Sequence, residues 1–563
     1  MATARRLYLY LVSFVGLSLA LSGLVEVLKQ LLQHFGVSSG ISIVGLSSMV
    51  SMPAEVDKSS LAVAIAYIVV GVPLFLIHWL WIRALATGPS EEAGAERRSI
   101  IRSLFFAYVL MSFLLSAAGA LVQLFQTGLL RGFNVEATSG SALISMGDAS
   151  NWANLIVYGL AWLFFARSRY RDLRNEPVIT GAAAWVSRLY LYGIAIYALA
   201  SWLLATISLI GTVVDAIGRP ELGNLGSVLG GNESDWWKAP LLTAIATLAI
   251  WAPIWLAHLL FSNRLLRETF LGMRERVSRV RLAYFMAVVS LAVVIIASLA
   301  SGALASVVAW AVKAKDPSET PAWRNLVVAI LASLIPAYLW LRHRNRAEAE
   351  ANAEAEAVAG GQLERVAFPW PVRVADHLTA FAGLIFFAAG ASLLLALILE
   401  QLTGALPIGV ALPTIGSESL ASVGRSWEMS NAFAAALVGA LIWIPFWLMA
   451  NRRRLADPAR EARSTARWYY LYWIAAGTIV VAAIALAFGA NLVARVAVGL
   501  DGGGELAKKL ADPTGVVVVA GLLFAYHAWL LFRGGVTGLR FGRAASPAPA
   551  PTEPPAPPAP PAV

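Results

Sequence analysis

Six long apolar segments of this chain each begin just after an arginine, and in most of them aromatic residues follow at once. The first segment begins at Arg5 and Arg6, continues through Tyr8 and Tyr10, and stays apolar to Leu32. The other five begin at Arg102, Arg188, Arg281, Arg373 and Arg467, which places the starts 86 to 96 residues apart. Self-similarity at a fixed period is the signature of a repeat architecture. The sequence therefore predicts one unit copied six times.

The composition places these units in a membrane. Of the 563 residues, 59% are hydrophobic and only 13% are charged, a balance that excludes a soluble globular protein. Each unit holds two apolar runs near or above the roughly 20 residues that cross a hydrocarbon core as a helix. The predicted fold class is all-α: a polytopic transmembrane helical bundle of about 12 spans, built from six parallel two-helix repeats. The predicted spans are 6–32, 60–86, 100–126, 150–168, 185–214, 238–266, 280–308, 321–343, 374–403, 429–452, 466–497 and 512–534.

Basic residues predict the orientation. The N-terminus, the loops that join one unit to the next, and the C-terminal tail hold 31 arginines, whereas every lysine lies at the opposite helix ends. Cytoplasmic loops carry the excess of Lys and Arg, so both termini are predicted to be cytoplasmic and the protein to lie in the cytoplasmic membrane. The net charge of +10 is thus explained by orientation rather than by nucleic acid, which we do not expect as a partner.

The units group into larger predicted domains. Repeat units 1 and 2 occupy residues 1–180, units 3 and 4 occupy 181–346, and units 5 and 6 occupy 373–535; we call these blocks 1, 2 and 3. Residues 347–372 form an Ala/Glu-rich cytoplasmic linker, whose first part is predicted to extend the eighth span as a solvated helix. Residues 536–563 are rich in proline and alanine and are predicted to be a disordered cytoplasmic tail.

No familiar catalytic motif occurs in the chain. It has no cysteine, which excludes disulfides and thiolate metal sites. It also lacks a Walker loop, a dinucleotide fingerprint, a zincin helix and a serine elbow. We therefore expect no enzyme, no catalytic residue and no metal site.

The second helix of a unit often carries a proline followed by a histidine. Pro73 precedes His78 and Pro253 precedes His258, and the last span has His527 without the proline. A histidine just beyond a bend is able to ligate a haem iron or bind a quinone, but it also serves as an interfacial anchor. We expect no cofactor and keep haem as the alternative. The other histidines, at positions 34, 343 and 377, lie near predicted membrane edges and are expected at loop or boundary positions.

Polar groups within the spans are the other candidates for function. Charged side chains inside a membrane are costly and often functional. The candidates are Glu26, which has Lys29 one turn further on, together with Gln123, Asp215 and Glu400. All lie toward the outer ends of their helices, where solvated helix ends are the alternative interpretation.

The Arg-Leu-Tyr-Leu-Tyr start and the Pro…His-Trp helix resemble a family of bacterial multi-pass membrane proteins known as domain of unknown function 5671. The resemblance covers Arg5 to about Arg533 as successive copies. If the family domain contains four helices, it implies three copies in this chain. The resemblance implies fold and membrane location only, since the family has no assigned activity.

Three classes of function remain open at this point. The first is a non-enzymatic scaffold or sensor of the cytoplasmic membrane. The second is a transporter or channel of unknown substrate whose pathway is lined by Glu26, Gln123, Asp215 and Glu400. The third is a haem- or quinone-binding protein that uses His78, His258 and His527. The expected partners are the lipid bilayer and either another membrane protein or further copies of the chain.

Overall fold

A computed structural model describes most of the chain as helix. The described residues are 2–35, 37, 57–133, 135, 148–175, 181–218, 237–265, 278–312, 321–360, 371–405, 418–456, 465–500, 503 and 506–535. Within these ranges there is no β-strand. The helices are α1 (Ala2–His34), α2 (Lys58–Ala86), α3 (Glu91–Arg97), α4 (Ile100–Gly132), α5 (Asp148–Asn175), α6 (Gly181–Gly218) and α7 (Lys238–Leu265). They continue as α8 (Arg279–Ala311), α9 (Ala322–Ala359), α10 (Pro371–Ala405), α11 (Glu418–Ala456), α12 (Thr465–Ala497), α13 (Leu506–Lys509) and α14 (Ala511–Gly535).

Twelve of the described helices are long and apolar enough to cross a membrane. This confirms the prediction of an all-α multi-pass bundle, with four long helices in each block. The predicted spans 150–168 and 321–343 belong to longer helices, α5 with 28 residues and α9 with 38. Twelve crossings, an even number, would place the first and last helix ends on one side of a membrane, as the arginine distribution predicts. We call this the arginine-rich side. The C-terminal tail, residues 536–563, lies outside the described residues.

The chain also divides into two compact units, which are larger than the two-helix repeat units and are described separately. The first contains residues 1–390 and 413–443, and the second contains residues 391–412 and 444–563. The first unit has two large apolar cores, one built around Trp79 and Phe106 of block 1 and one around Tyr284 and Phe285 of block 2. In the second unit the buried residues include Leu471 and Leu523.

Small residues let the first two helices of a block approach closely. A Cβ atom added to Gly16 would lie 2.6 Å from the backbone nitrogen of Phe75, and one added to Gly23 would lie 2.5 Å from the carbonyl oxygen of Ala64. The first helices of the other blocks carry small residues at the corresponding positions, namely Ala198 and Ala205 in α6 and Gly383 and Gly390 in α10. Close backbone approach is a main source of helix association in lipid, where the hydrophobic effect between helices is absent.

Two features of the helix ends bear on the predictions. At the N-terminus of α2, Asp57 accepts hydrogen bonds from the hydroxyl and backbone N–H groups of Ser60 and Ser59, which lower the pKa of its carboxyl to about 2. The carboxylate therefore caps the helix at any physiological pH.

The Ala/Glu-rich segment after the eighth span is helical as predicted, since α9 runs to Ala359. Its start is not solvated, however, because Ala347 is buried and Glu350 bonds to the bundle.

Candidate functional site

The six arginines that start the odd-numbered spans fall into two structural classes. Those that start the third long helix of a block, at positions 102, 281 and 467, are only 1–6% exposed. Those that start the first helix, Arg6, Arg188 and Arg373, are partly exposed. Successive two-helix units therefore place their first arginine alternately in a partly exposed and in a buried environment. The structure repeats every four helices rather than every two.

In block 1 the buried arginine joins three helices. The Nε atom of Arg102 in α4 donates to Asp172 Oδ2 of α5 at 2.7 Å, and its Nη1 atom donates to the Tyr10 hydroxyl of α1 at 2.9 Å. The Tyr10 hydroxyl donates in turn to Glu96 of α3 at 2.9 Å, and Glu96 also accepts from Arg6 at 2.6 Å. The result is a continuous buried network at the arginine-rich ends of the helices.

Block 2 repeats this arrangement with four helices. Arg281 of α8 forms a bidentate pair with Glu350 of α9, through Nε at 2.9 Å and Nη2 at 2.8 Å. Its Nη1 atom donates to the Tyr192 hydroxyl of α6 at 3.0 Å and to Ser262 Oγ of α7 at 2.6 Å. Tyr192 and Glu350 thus take the places that Tyr10 and Asp172 hold in block 1.

Aromatic rings complete both networks. The guanidinium of Arg102 lies 5.2 Å from the ring centre of Phe106, and that of Arg281 lies 5.0 Å from the ring centre of Phe285. A buried arginine is tolerated only when its charge and its donors are matched, so each network fixes the relative positions of its helices. We call each network a clamp: the buried arginine, the tyrosine and the carboxylate that it binds. Its role is structural, and it presents no exposed nucleophile.

Block 3 carries a modified form of the clamp. Arg467 lies 5.3 Å from the ring centre of Trp447, and its Nη1 atom is 3.4 Å from Asn451 Oδ1. The acidic residue of block 2, Glu350, follows His343 by seven residues, and the position seven residues after His527 is Gly534. Block 3 therefore has no carboxylate at this sequence position.

His78 and His258 occupy corresponding places in blocks 1 and 2. His78 donates through Nδ1 to the carbonyl oxygen of Leu74 at 2.7 Å, and its Nε2 atom accepts from the Tyr8 hydroxyl at 3.2 Å. His258 bonds through Nδ1 to the carbonyl oxygen of Ile254 at 2.8 Å and packs edge-on against Tyr190. In a neutral imidazole, donation from Nδ1 leaves Nε2 as the acceptor. Both histidines thus join the first helix of a block to the second.

His527 belongs to a different position of the repeat. It lies on α14, the fourth long helix of its block, among the rings of Trp447, Tyr470 and Tyr526 at 6.0, 6.0 and 5.0 Å. The corresponding residue of block 2 is His343, which packs on Tyr284 and Phe285, and that of block 1 is Phe165, which packs on Phe105 and Phe106. The sequence grouped His78, His258 and His527 as second-helix histidines of two-helix units. In the four-helix blocks His527 lies on a fourth helix, in a different environment from the other two.

Two further histidines, at positions 343 and 377, were expected at loop or boundary positions and are not loop residues. His343 and His377 lie inside helices α9 and α10, and each is only 4% exposed. The three candidate ligands His78, His258 and His527 sit in separate clusters. Within the described part of the chain no group of three or more His, Asp and Glu side chains is arranged to hold a metal ion.

We expect His527→Phe to be tolerated. His527 is fully buried, its Nε2 atom has no hydrogen-bond partner in the structure, and block 1 already has phenylalanine at this position. The change removes a buried acceptor without a partner, which offsets the loss of the Nδ1 hydrogen bond to the Leu523 carbonyl oxygen, so the melting temperature should stay close to that of the wild type. Thermal unfolding of the purified variant in detergent measures this. A loss of expression, or of a bound chromophore seen in the wild type, would show instead that the imidazole is needed.

The candidate polar residues are held in local ion pairs. Glu26 accepts from Lys29 at 2.6 Å and from Gln30 at 3.0 Å on the same helix. Asp215 of α6 forms a bidentate pair with Arg324 of α9 at 2.8 and 2.7 Å, and Glu400 of α10 pairs with Lys508 of α13 at 3.2 Å. Gln123 is half-buried on α4, one turn before Gln126, which donates to Thr243 at 2.9 Å.

Two of these pairs are repeats of one another. Asp215 follows Tyr192 by 23 residues, and Glu400 follows His377 by the same number. Their basic partners, Arg324 and Lys508, each precede the fourth-helix histidine of their block by 19 residues. Blocks 2 and 3 therefore share an ion pair that joins the first helix of the block to the start of its fourth-helix segment, on the side opposite the clamp.

The sequence reasoning missed the acidic members of the clamp. Asp172 and Glu350 stand among arginines at the ends of α5 and α9, where they look like solvated residues. A signal was present, since each follows the buried ring of Phe165 or His343 by seven residues, or two helical turns on the same face. A comparison of the blocks at a four-helix period would have aligned them.

These features define a class: a multi-pass α-helical membrane protein made of three tandem four-helix blocks, of which the first two share a buried arginine–tyrosine–carboxylate clamp. The family described as a domain of unknown function, DUF5671, matches residues 6–146, 188–338 and 373–522. The chain belongs to this family and contains three tandem copies of its domain. Searches of curated proteins and of solved structures found no similar protein.

Proposed function

We propose that the protein is a non-enzymatic scaffold of the cytoplasmic membrane, in which three helical blocks present a fixed surface to lipid and to another membrane protein. The observation that supports this proposal most is that the polar groups within the spans are bonded to one another. The clamp arginines bind tyrosines, serine and carboxylates of neighbouring helices, and Glu26, Asp215 and Glu400 are held in ion pairs. These bonds favour a rigid body over a site that must bind and release a substrate.

A transporter is the second candidate, and one observation favours it. Asp215 and Glu400 recur at the same place in two blocks, and paired charges inside spans are found along ion and substrate pathways. Such a pathway would require these pairs to open. A bound haem or quinone is a third possibility that an absorption spectrum of protein from haem-replete cells tests directly.

Variants of the Asp215–Arg324 pair separate the first two candidates. In a scaffold, Asp215→Asn removes one partner of a half-buried ionic bond and should cost about 2 kcal/mol of stability. The exchanged double variant Asp215→Arg/Arg324→Asp should recover part of that loss. Both should still complement a deletion strain once expression is matched. The measurements are thermal unfolding and growth or phenotype rescue.

Liposomes supply the control. Wild-type protein should give no flux of protons, sodium, potassium, sugars or amino acids above that of empty liposomes. Flux that Asp215→Asn and Glu400→Gln abolish without unfolding the protein would contradict the scaffold proposal and support transport. Alanine at His78 and His258 should leave the deletion phenotype rescued, whereas its loss at normal expression would also contradict the proposal.

A further inference from the structure

The arginine-rich end of α5 has one side packed into block 1 and one side turned outward. Phe165, Arg169 and Asp172, on three consecutive turns, are buried. Asp172 accepts from Arg102 of α4 at 2.7 Å, and Arg169 donates to Ser187 of α6 at 2.6 Å. These contacts fix the rotation of α5 about its own axis, and with it the residues that point away from the block.

Three arginines lie on the opposite side of this helix end. Arg167, Arg171 and Arg174 are four and three residues apart, a spacing that places them on one side of a helix. All three are exposed, and within the described part of the chain none of them forms a hydrogen bond or an ion pair. They stand along about 10 Å of the helix axis, and long arginine side chains bend toward a headgroup layer from above or below it. This side of α5 therefore offers three positive charges close together.

The same side of α5 continues toward the membrane as an apolar surface. Leu160, Leu163 and Phe164 precede Arg167 by seven, four and three residues, and all of them are exposed. Tyr170, which is also exposed, stands among the arginines. We call these four residues and the three arginines the outward face of α5. Apolar side chains suit acyl chains, whereas tyrosine and arginine suit the headgroup level, so one uninterrupted face matches both parts of a phospholipid.

The corresponding positions of block 2 are exposed but carry no charge. In the alignment that pairs Phe165 with His343, the counterparts of the three arginines on α9 are Asn345, Ala349 and Asn352. The exposed charges beside them, on Arg342 and Glu348, have opposite signs. The fold of a block therefore does not need positive charge at these positions. Orientation does not need it there either, because it depends on the basic residues of a whole loop rather than on one side of one helix.

We propose that the outward face of α5 binds an anionic phospholipid, with its acyl chains against Leu160 and Phe164 and its phosphate among the three arginines. Guanidinium groups form charge-assisted hydrogen bonds with phosphate oxygens, and each basic residue near an anionic membrane surface strengthens binding about fivefold. A zwitterionic lipid carries its own cation, which the arginines repel. An acidic peptide or a nucleic acid matches the arginines but not the apolar part of the face. The site goes beyond the scaffold proposal and does not depend on it, since a transporter is equally able to carry it.

Fluorescence quenching in vesicles tests the proposal on the full-length chain, whose lack of cysteine permits a single label. Leu163→Cys carries a bimane fluorophore on the outward face, and the protein is reconstituted in phosphatidylcholine vesicles with a minor fraction of brominated phosphatidylglycerol. A second set of vesicles holds the same fraction of brominated phosphatidylcholine. Bromine quenches only a nearby fluorophore, so the two sets give the local preference for the anionic lipid. We expect a preference of about tenfold or more at low salt, and a smaller one as salt is raised.

Substitutions in the labelled protein test the role of the charge. The triple variant Arg167→Gln/Arg171→Gln/Arg174→Gln should lose most of the preference for phosphatidylglycerol. Lysine at the same three positions should keep most of it, because lysine retains the positive charge. The melting temperature in detergent should stay the same in both variants, since these arginines make no bond to the described part of the bundle.

Block 2 supplies the matched control. Leu341 of α9 is the counterpart of Leu163 and is also exposed. A bimane on Leu341→Cys should report little preference, and adding Asn345→Arg/Ala349→Arg/Asn352→Arg should create one there. The proposal is overturned if the label at position 163 shows no preference for phosphatidylglycerol, or if the triple glutamine variant keeps that preference. Arginines that serve an acidic protein partner instead would give the first of these results, because the vesicles hold no other protein.

Discussion

Replacing Arg281 with alanine is expected to destabilise block 2 by about 3–5 kcal/mol, the usual cost of removing one partner from a buried ionic network. Arg281 is 1% exposed and bonds to Tyr192, Ser262 and Glu350 on three other helices. Its loss leaves Glu350 with the longer 3.2 Å pair to Arg346 and opens a cavity beside Phe285. For a block of this size, the melting temperature should fall by roughly 2–4 °C for each kcal/mol of lost stability. Thermal unfolding in detergent measures this fall.

Two variants control for nonspecific damage. Arg342→Ala removes an exposed arginine of the same block, which donates a hydrogen bond to Tyr338 on its own helix. This variant should change the melting temperature little. Arg281→Met combined with Glu350→Met removes both charges and should recover much of the loss, because paired apolar residues avoid the buried charge. An unchanged melting temperature for Arg281→Ala would show that the clamp does not hold the helices together.

Much of the fold was predictable because membrane spans give a strong local signal. Runs of about 20 apolar residues are rare outside membranes, and all twelve predicted runs coincide with long helices. The proline positions are another local signal: Pro73 and Pro253 lie inside helices, as expected, and Pro336 and Pro445 do so as well. The helical C-terminal part of α9 was likewise predictable from its alanine and glutamate content.

The clamp was much harder to predict because it joins residues that are distant in the sequence. Arg102 reaches Tyr10 and Asp172, which lie 92 and 70 residues away, and only the packing of three helices brings them together. Sequence reasoning found the arginines and tyrosines as a repeated pattern but interpreted the arginines as orientation signals. The different environment of His527 was hidden for the same reason, since a short motif does not reveal which helix of a four-helix block carries it.

Gly71→Val is expected to push α1 and α2 apart and to destabilise block 1 strongly. An added Cβ at Gly71 would lie 2.5 Å from the backbone nitrogen of Ala20, 2.8 Å from the carbonyl oxygen of Gly16 and 2.9 Å from the Leu19 Cβ. Two of these atoms belong to the backbone, so the strain cannot be relieved by a rotamer change. Overpacking of this kind costs about 1–3 kcal/mol or more, and the same separation weakens the bond between His78 and Tyr8. Thermal unfolding measures the loss, with Gly71→Ala as the milder step of the series.

Glycine at an open position should behave in the opposite way. Gly477 lies on the exposed face of α12, and no atom lies within 4 Å of an added Cβ. Gly477→Ala should therefore gain helix propensity, about 1 kcal/mol in a helix interior, without strain. Gly71→Ala and Gly477→Ala add the same methyl group, so the new methyl differs only in its surroundings. Equal melting temperatures for these two variants would mean that close backbone contact between α1 and α2 does not stabilise block 1.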